Sequence, residues 1–240
     1  MKYMGSKARI SKDLAPIIQS YITDETKGYL EPFVGGANMI DKIKCDKKIG
    51  CDINEYLIAM WKAIQSGWIP PQDISKEEYD DIKNNKEKYL KELVAIAGFC
   101  STYNAKWFGG YAGKVKTKIG TIRNYYDESI RNILNQKQYI EDVKFLNKSF
   151  LDLPKDKIKG YVIYCDPPYE GTTKYRDDFP HTEYWEWVKE MSKNNIVLCS
   201  EYNAPDDFTC IYSKELTITL DKNSRKKDIE KLFIHNSNIK

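Results

Sequence analysis

The chain is predicted to be an α/β protein with a mostly parallel sheet, interrupted by a mostly helical insertion. Three observations carry this. Residues 28–34, 47–51 and 161–165 form short apolar, β-rich runs bounded by turn residues, which read as buried strands. A helical pattern from Glu183 to Lys193 separates the third run from a fourth, Ile196–Ser200, and such alternation favours a parallel sheet. Between the second and third runs, helical spacing takes over from strand spacing.

Taken in order, the first run, Gly28 to Val34, leads into Gly35-Gly36, and the second, Lys47 to Cys51, leads into Asp52. Asn54 then caps a helix through Leu57, Ile58, Trp61 and Ile64, closed by Gly67. Ser75-x-x-Glu78 has the pattern of a capping box opening a more charged helix. Leu90 to Phe99 is apolar at helical spacing, and the glycines at 109, 110, 113 and 120 mark a loop or hairpin. Asp127 is placed to cap a further helix with Ile130, Ile133 and Leu134 inward. Residues 59–139 are therefore expected to be the insertion, with 1–58 and 140–240 forming the α/β domain. Alternation at Cys210-Ile211-Tyr212, Leu216 to Leu220 and Lys231 to Ile234 predicts a last hairpin around a basic turn, Asn223 to Lys227.

Composition sets further bounds. A chain of 240 residues suits one domain, or one domain with a sizeable insertion, and can bury its own core. Neither a membrane span nor a signal peptide is visible, so a soluble, intracellular (cytoplasmic) protein is expected. Six cysteines without a C-x-x-C pair, and only two histidines, leave no zinc spacing, so no metal is expected and the cysteines are read as buried free thiols. The net charge is +3, but from Leu93 to Tyr126 no acidic residue occurs, while Lys106, Lys114, Lys116, Lys118 and Arg123 fall inside. Lys222, Arg225, Lys226 and Lys227 form a second basic cluster. These stretches fit a polyanion on one face, although exposed lysines on a solvated surface look the same. Tyr103, Trp107, Phe108 and Tyr111 among the lysines have two readings, base stacking or a small core for the insertion.

Ligands of open α/β sheets bind beyond the carboxyl ends of the strands, where all three clusters sit. Gly35-Gly36 allows close backbone approach, and an acid at Asp52 is the expected partner of ribose hydroxyls. Together they indicate an adenosine-containing cofactor. The G-x-G-x-x-G and G-x-x-x-x-G-K-[ST] fingerprints are missing, which argues against NAD and a nucleotide phosphate loop. Asp166-Pro167-Pro168-Tyr169 closes the third run. Its prolines stiffen a backbone whose carbonyls lack local amide partners. Asp166 adds an acceptor and Tyr169 an aromatic face, a set suited to a planar ring bearing an exocyclic amine. Accepting both amine hydrogens makes the nitrogen more pyramidal and nucleophilic, and stabilises the charge that develops on it.

Four segments in order, Tyr3-Met4-Gly5-Ser6-Lys7, Glu31-Pro32-Phe33-Val34-Gly35-Gly36, Cys51-Asp52-Ile53-Asn54 and Tyr164-Cys165-Asp166-Pro167-Pro168-Tyr169, resemble those of the Dam-like DNA adenine-N6 methyltransferases. The resemblance implies a Rossmann-like methyltransferase sheet with a small helical target-recognition insertion, S-adenosylmethionine as cofactor and double-stranded DNA as substrate. It places Tyr3, Lys7, Glu31, Phe33, Gly35, Gly36, Asp52 and Asp166 around the cofactor. Lys7 would lie near the methionine carboxylate and Asp52 on the ribose, with Asp166 to Tyr169 catalytic. A flipped-out adenine, DNA contacts from Lys106, Trp107, Tyr111, Lys114, Lys116, Lys118, Arg123, Arg225 and Lys226, and a monomeric state complete the expectation. Two departures stand out: Tyr3 replaces a common tryptophan, and residues 104–111 do not match the base-reading segment of GATC-specific relatives. Cytosine N4, RNA adenine or a glutamine amide as acceptor, and a non-catalytic DNA-binding relative, stay open as alternatives.

Overall fold

The computed structural model describes residues 1–3, 5–116, 119–169, 179–219 and 225–239, with backbone alone for 216–219 and 225–228. In β1 (Gly28–Glu31) and β6 (Tyr161–Cys165) every residue is buried. Their side chains alternate between two apolar clusters: Tyr29, Val162 and Tyr164 enter one, Leu30, Tyr161, Ile163 and Cys165 the other. A strand covered on both faces reads as an unbroken apolar run, as these do in the sequence.

The strands β2 (Lys48–Asp52), β5 (Val143–Asn147) and β7 (Ile196–Ser200) join β1 and β6 in parallel, and β8 (Phe208–Thr219) and β9 (Arg225–His235) complete a seven-stranded sheet ordered β5-β2-β1-β6-β7-β9-β8. The last two form the expected hairpin, with β9 antiparallel to both neighbours. From β1 the chain steps outward to β2 and β5, then returns to place β6 and β7 on the other side. The switch point, where such sheets take ligands, is thus between β1 and β6.

Helix α1 (Ser11–Gln19) packs Leu14, Ala15 and Ile18 into the first cluster, and α6 (His181–Ser192) packs Tyr184, Trp187, Val188 and Met191 into the second. Sequence patterning missed α1, which carries Pro16 inside it, and also β5. As the edge strand of the sheet, β5 buries only Val143 and Phe145, so it lacks the continuous apolar run of its neighbours.

Helix α2 (Glu55–Gln65) begins as expected, with Asn54 Oδ1 accepting from the Leu57 amide at 3.1 Å. Its Trp61 stacks on Phe145 of β5 at 6.0 Å, so the expected boundary at 58/59 falls inside a helix that covers the sheet. Beyond it come α3 (Lys76–Asn84), with the full Ser75–Glu78 capping box, and α4 (Lys91–Ala95), which runs into a buried π-helical turn at Ile96–Cys100. A short hairpin, β3 (Lys114–Lys116) and β4 (Ile122–Asn124), precedes α5 (Tyr125–Lys137). Tyr79, Ile82, Val94, Phe99 and Ile133 belong to the same cluster as Leu14 and Tyr164, so this region extends the core of the sheet.

Two local expectations are corrected. The cap of α5 is Asn124, whose side chain accepts from the amides of Tyr126 and Asp127, and Asp127 lies within the first turn. Leu134 is 39% exposed; the buried stripe is Tyr126, Ser129, Ile133 and Gln136. Of the cysteines, Cys51, Cys100, Cys165 and Cys199 are buried, whereas Cys45 is half-buried and Cys210 exposed. Among the described residues no helix is long and apolar enough to cross a membrane, and no cluster of His, Cys, Asp and Glu has the makings of a metal site.

Candidate active site

The carboxyl ends of β1, β2 and β6 open onto one cavity of about 1870 Å³. Tyr3, Lys7, Glu31, Phe33, Gly35, Gly36, Asp52, Asp166, Pro167, Pro168 and Tyr169 all line it. Segments separated by more than a hundred residues in sequence therefore meet at the switch point of the sheet.

After β1 the chain turns through Pro32 to Gly35, whose φ of +46° suits glycine. The turn is fixed from three sides: the Val34 amide donates to Cys51 O at 2.8 Å, the Gly35 amide to Asp52 Oδ2 at 3.1 Å, and Trp61 Nε1 to Gly35 O at 3.0 Å. Asp52 Oδ1 also accepts from the Asn54 amide at 2.9 Å, so one carboxylate ties the glycine turn to the start of α2. Burial pushes the Asp52 carboxyl up, while these amides pull it down. The close approach that required glycine is made first by Tyr3. A Cβ on Gly35 would meet its ring at 3.0 Å, and one on Gly36 would lie 2.8 Å from its Cβ. Tyr3 in turn packs on Phe99 of the π-helical turn at 5.3 Å.

Phe33 belongs to an aromatic cluster with Phe150, Phe179 and Tyr184, at centroid distances of 5.5, 5.8 and 5.9 Å. Phe150 and Phe179 line the cavity as well, and sequence reading missed both. Phe150 opens a single 3-10 turn, Phe150–Asp152, and Phe179 stands outside the regular elements, with no motif to single out either.

Asp166 carries most of the electrostatics. Its Oδ1 lies 2.9 Å from Lys7 Nζ, which also reaches Glu230 Oε1 at 3.3 Å and sits 4.4 Å above the Tyr169 ring. The Tyr169 hydroxyl donates to Glu230 Oε1 at 2.7 Å, and its ring meets Tyr202 edge-on at 4.8 Å. Burial pushes the Asp166 carboxyl up to about 6, with Glu230 adding to the rise and Lys7 opposing it. Burial works against the Lys7 ammonium, but Asp166 and Glu230 outweigh it and hold Lys7 charged. Glu31, wholly buried at the end of β1, accepts from the Tyr29 hydroxyl at 2.7 Å, and burial raises its carboxyl well above the usual range. Glu230, another buried wall residue, was missed; an acid just before the run from Lys231 to Ile234 is its only trace in sequence.

The residues expected to touch a polyanion are dispersed. Among those whose side chains are described, Arg123 alone lines the cavity; it forks onto Glu128 at 2.6 and 2.8 Å and lies 4.6 Å over the Tyr125 ring. Lys106, Lys114 and Lys116 are exposed. Lys118 lies outside the described residues, as do the side chains of Arg225 and Lys226 on β9. For Trp107 and Tyr111 the packing favours the core reading. Trp107 contacts Phe99 at 4.6 Å and covers Gly98, where a Cβ would meet it at 2.4 Å. Tyr111 packs on Tyr79 and donates its hydroxyl to Ile74 O at 2.8 Å. The loop carrying Trp107 holds Asn104, Ala105 and Phe108 at positive φ, a strained backbone secured by the bond from the Phe108 amide to Gly98 O.

The chain is similar in sequence to known proteins. A family model described as D12 class N6 adenine-specific DNA methyltransferase matches residues 3–204. Modification methylase StsI of Streptococcus sanguinis is 23% identical over 222 residues, covering 82% of this chain and 32% of its own. Type II methyltransferase M.FokI of Planomicrobium okeanokoites is 22% identical over 216 residues, covering 82% and 33%. A DNA adenine methylase of Vibrio cholerae is 25% identical over 191 residues, covering 70% and 64%. The chain thus spans about a third of the length of the first two relatives.

Proposed function

Because the chain belongs to the D12 class N6 adenine-specific DNA methyltransferase family, we propose that it methylates N6 of a flipped-out adenine in duplex DNA, with S-adenosylmethionine as donor. The observation that carries this reading is the meeting of Asp52, the Phe33–Phe150–Phe179 cluster and the Asp166–Tyr169 loop around one cavity.

The donor set fits the cofactor. Each Asp52 oxygen has accepted one amide and retains a lone pair, which suits ribose hydroxyls. Phe33, Phe150 and Phe179 offer apolar faces to a planar base, Lys7 a cation to a carboxylate, and Asp166 a counter-charge to a sulfonium. When bound, S-adenosylmethionine supplies an electrophilic methyl group.

This chain's own residues do the rest. Asp166 and the carbonyl of Pro167 accept the two N6 hydrogens, drawing the nitrogen lone pair out of conjugation with the ring. Tyr169 offers its ring to the extruded base, and the proline pair fixes the acceptors before the base arrives. Asp166 works as an ionised acceptor, and after methyl transfer the cationic amine gives up one proton through Asp166 to solvent. The aromatic wall excludes solvent from the reacting atoms.

DNA engages the exposed lysines of 106–116 together with Arg225 and Lys226 at the start of β9. Residues 59–139 serve as the target-recognition part, and a single intracellular subunit suffices. Duplex DNA incubated with methyl-labelled S-adenosylmethionine tests the reading. Wild type labels DNA and Asp166→Ala does not; equal, negligible labelling by both removes it.

A further inference from the structure

Glu230 plays no part in the mechanism above, yet it touches two groups that do. Its register explains how. Leu232 of β9 pairs with Ser200, the last residue of β7, so Glu230, two residues before Leu232 on the antiparallel β9, lies beyond the carboxyl end of β7. There it meets the loop that follows β6. One carboxylate oxygen accepts from the Tyr169 hydroxyl at 2.7 Å and lies 3.3 Å from Lys7 Nζ. Lys7 is itself buried and 2.9 Å from Asp166.

Resting on the adenine-methyltransferase reading, we infer that Glu230 is a positioning residue. It holds Lys7 and Tyr169 in place and keeps the reacting pocket net negative, so that the Lys7 ammonium does not cancel the charge of Asp166. Lys7 and Asp166 alone sum to zero; with Glu230 the trio sums to minus one. Transfer moves a positive charge from sulfur to the amine beside Asp166, and a fixed negative centre favours its arrival there. Drawing part of the ammonium away also leaves Asp166 acceptor capacity for the amine hydrogens.

Among the described residues, six groups act on Asp166: Lys7 from the turn before α1, Glu31 from β1, Tyr164 and Cys165 from β6, Tyr169 from its own loop and Glu230 from β9. Burial raises the Glu31 carboxyl well above the usual carboxylate range and pushes the two tyrosine hydroxyls up as well, which disfavours negative charge on all three. Burial is the largest influence on the Asp166 carboxyl, Lys7 opposes it, and Glu230 is the acidic neighbour that adds to the rise.

The test is titration of aspartate side chains by NMR in the free protein carrying ¹³Cγ-aspartate, with Asp166 assigned through Asp166→Asn. Wild type is expected to titrate near pH 6. Glu230→Gln, or Glu230→Met should the amide not fold, is expected to titrate lower by on the order of one pH unit, because a like charge is gone. Glu230→Asp keeps the charge and stays close to wild type. An unmoved midpoint in the neutral variant, or equal shifts in the neutral and aspartate variants, overturns the inference. Methylation of duplex DNA by wild type is read separately, so a failure of the underlying reading leaves the titration result standing and is told apart from it.

Discussion

Replacing Asp52 with alanine separates cofactor binding from catalysis. In the free protein its carboxylate holds the amides of Gly35 and Asn54 at 3.1 and 2.9 Å. Alanine leaves both donors without that partner but also relieves a buried charge, whose carboxyl burial already pushes up. The two effects oppose each other, so the net loss of stability is expected to stay near 1–2 kcal/mol. Binding loses more. Hydrogen bonds from ribose hydroxyls to an ionised carboxylate contribute about 1.5–3 kcal/mol, which is roughly a 10- to 150-fold weaker Kd for S-adenosylmethionine. The Asp52→Asn variant retains one acceptor oxygen without the charge, and its affinity should fall between the two. Calorimetric titration gives the Kd, thermal unfolding without ligand checks the fold, and rates at saturating cofactor should recover much of the wild-type kcat. A folded Asp52→Ala protein that binds within about threefold of wild type refutes the assignment of this carboxylate.

Other outcomes follow from the same geometry. Burial raises the Asp166 carboxyl to about 6 and its role requires the ionised form, so kcat/KM should rise with pH through about 6 and level off above it. The stability sign is opposite: the folded value lies above the unfolded one, so ionised Asp166 opposes folding at neutral pH, and that cost fades as pH falls towards about 4. A kcat/KM flat between about pH 5 and 8 contradicts the assignment. Trp61→Phe strips the Gly35 carbonyl of its indole donor and loosens packing on Phe145, which should cost about 2–4 kcal/mol and lower Tm by roughly 5–10 °C; an unchanged denaturation midpoint counts against it. Lys116→Ala should weaken duplex binding and reduce the slope of log K against log salt by about one. Equal slopes remove Lys116 from the phosphate contacts.

How much of this was legible in sequence depended on burial. The runs leading into Gly35, Asp52 and Asp166 were readable because short β-rich stretches bounded by turn residues mark strands of the sheet interior, and the residues that follow them are then conspicuous. Edge strand β5 lacked that signature, and α1 hid behind Pro16. The cavity wall divided in the same way. Residues within short motifs, Lys7 through Tyr169, could be named in advance. Phe150, Phe179, Tyr202 and Glu230 reach the site only through tertiary packing, and no local pattern distinguishes them. Trp107 and Tyr111 show the limit of composition: aromatic residues among lysines fit a nucleic-acid surface, but contacts with Phe99, Tyr79 and Gly98 pack both, half-buried, against the core. The boundary at 58/59 failed to coincide with a structural break for a related reason, since the spacing that marks α2 as a helix says nothing about which layer it covers.

The central claim concerns one atom. Duplex DNA of mixed sequence, treated with the protein and S-adenosylmethionine, can be digested to nucleosides and resolved by mass spectrometry. The account predicts N6-methyldeoxyadenosine with wild type and its loss with Asp166→Ala. Accumulation of N4-methyldeoxycytidine in its place, or N6-methyldeoxyadenosine at undiminished levels with Asp166→Ala, contradicts it.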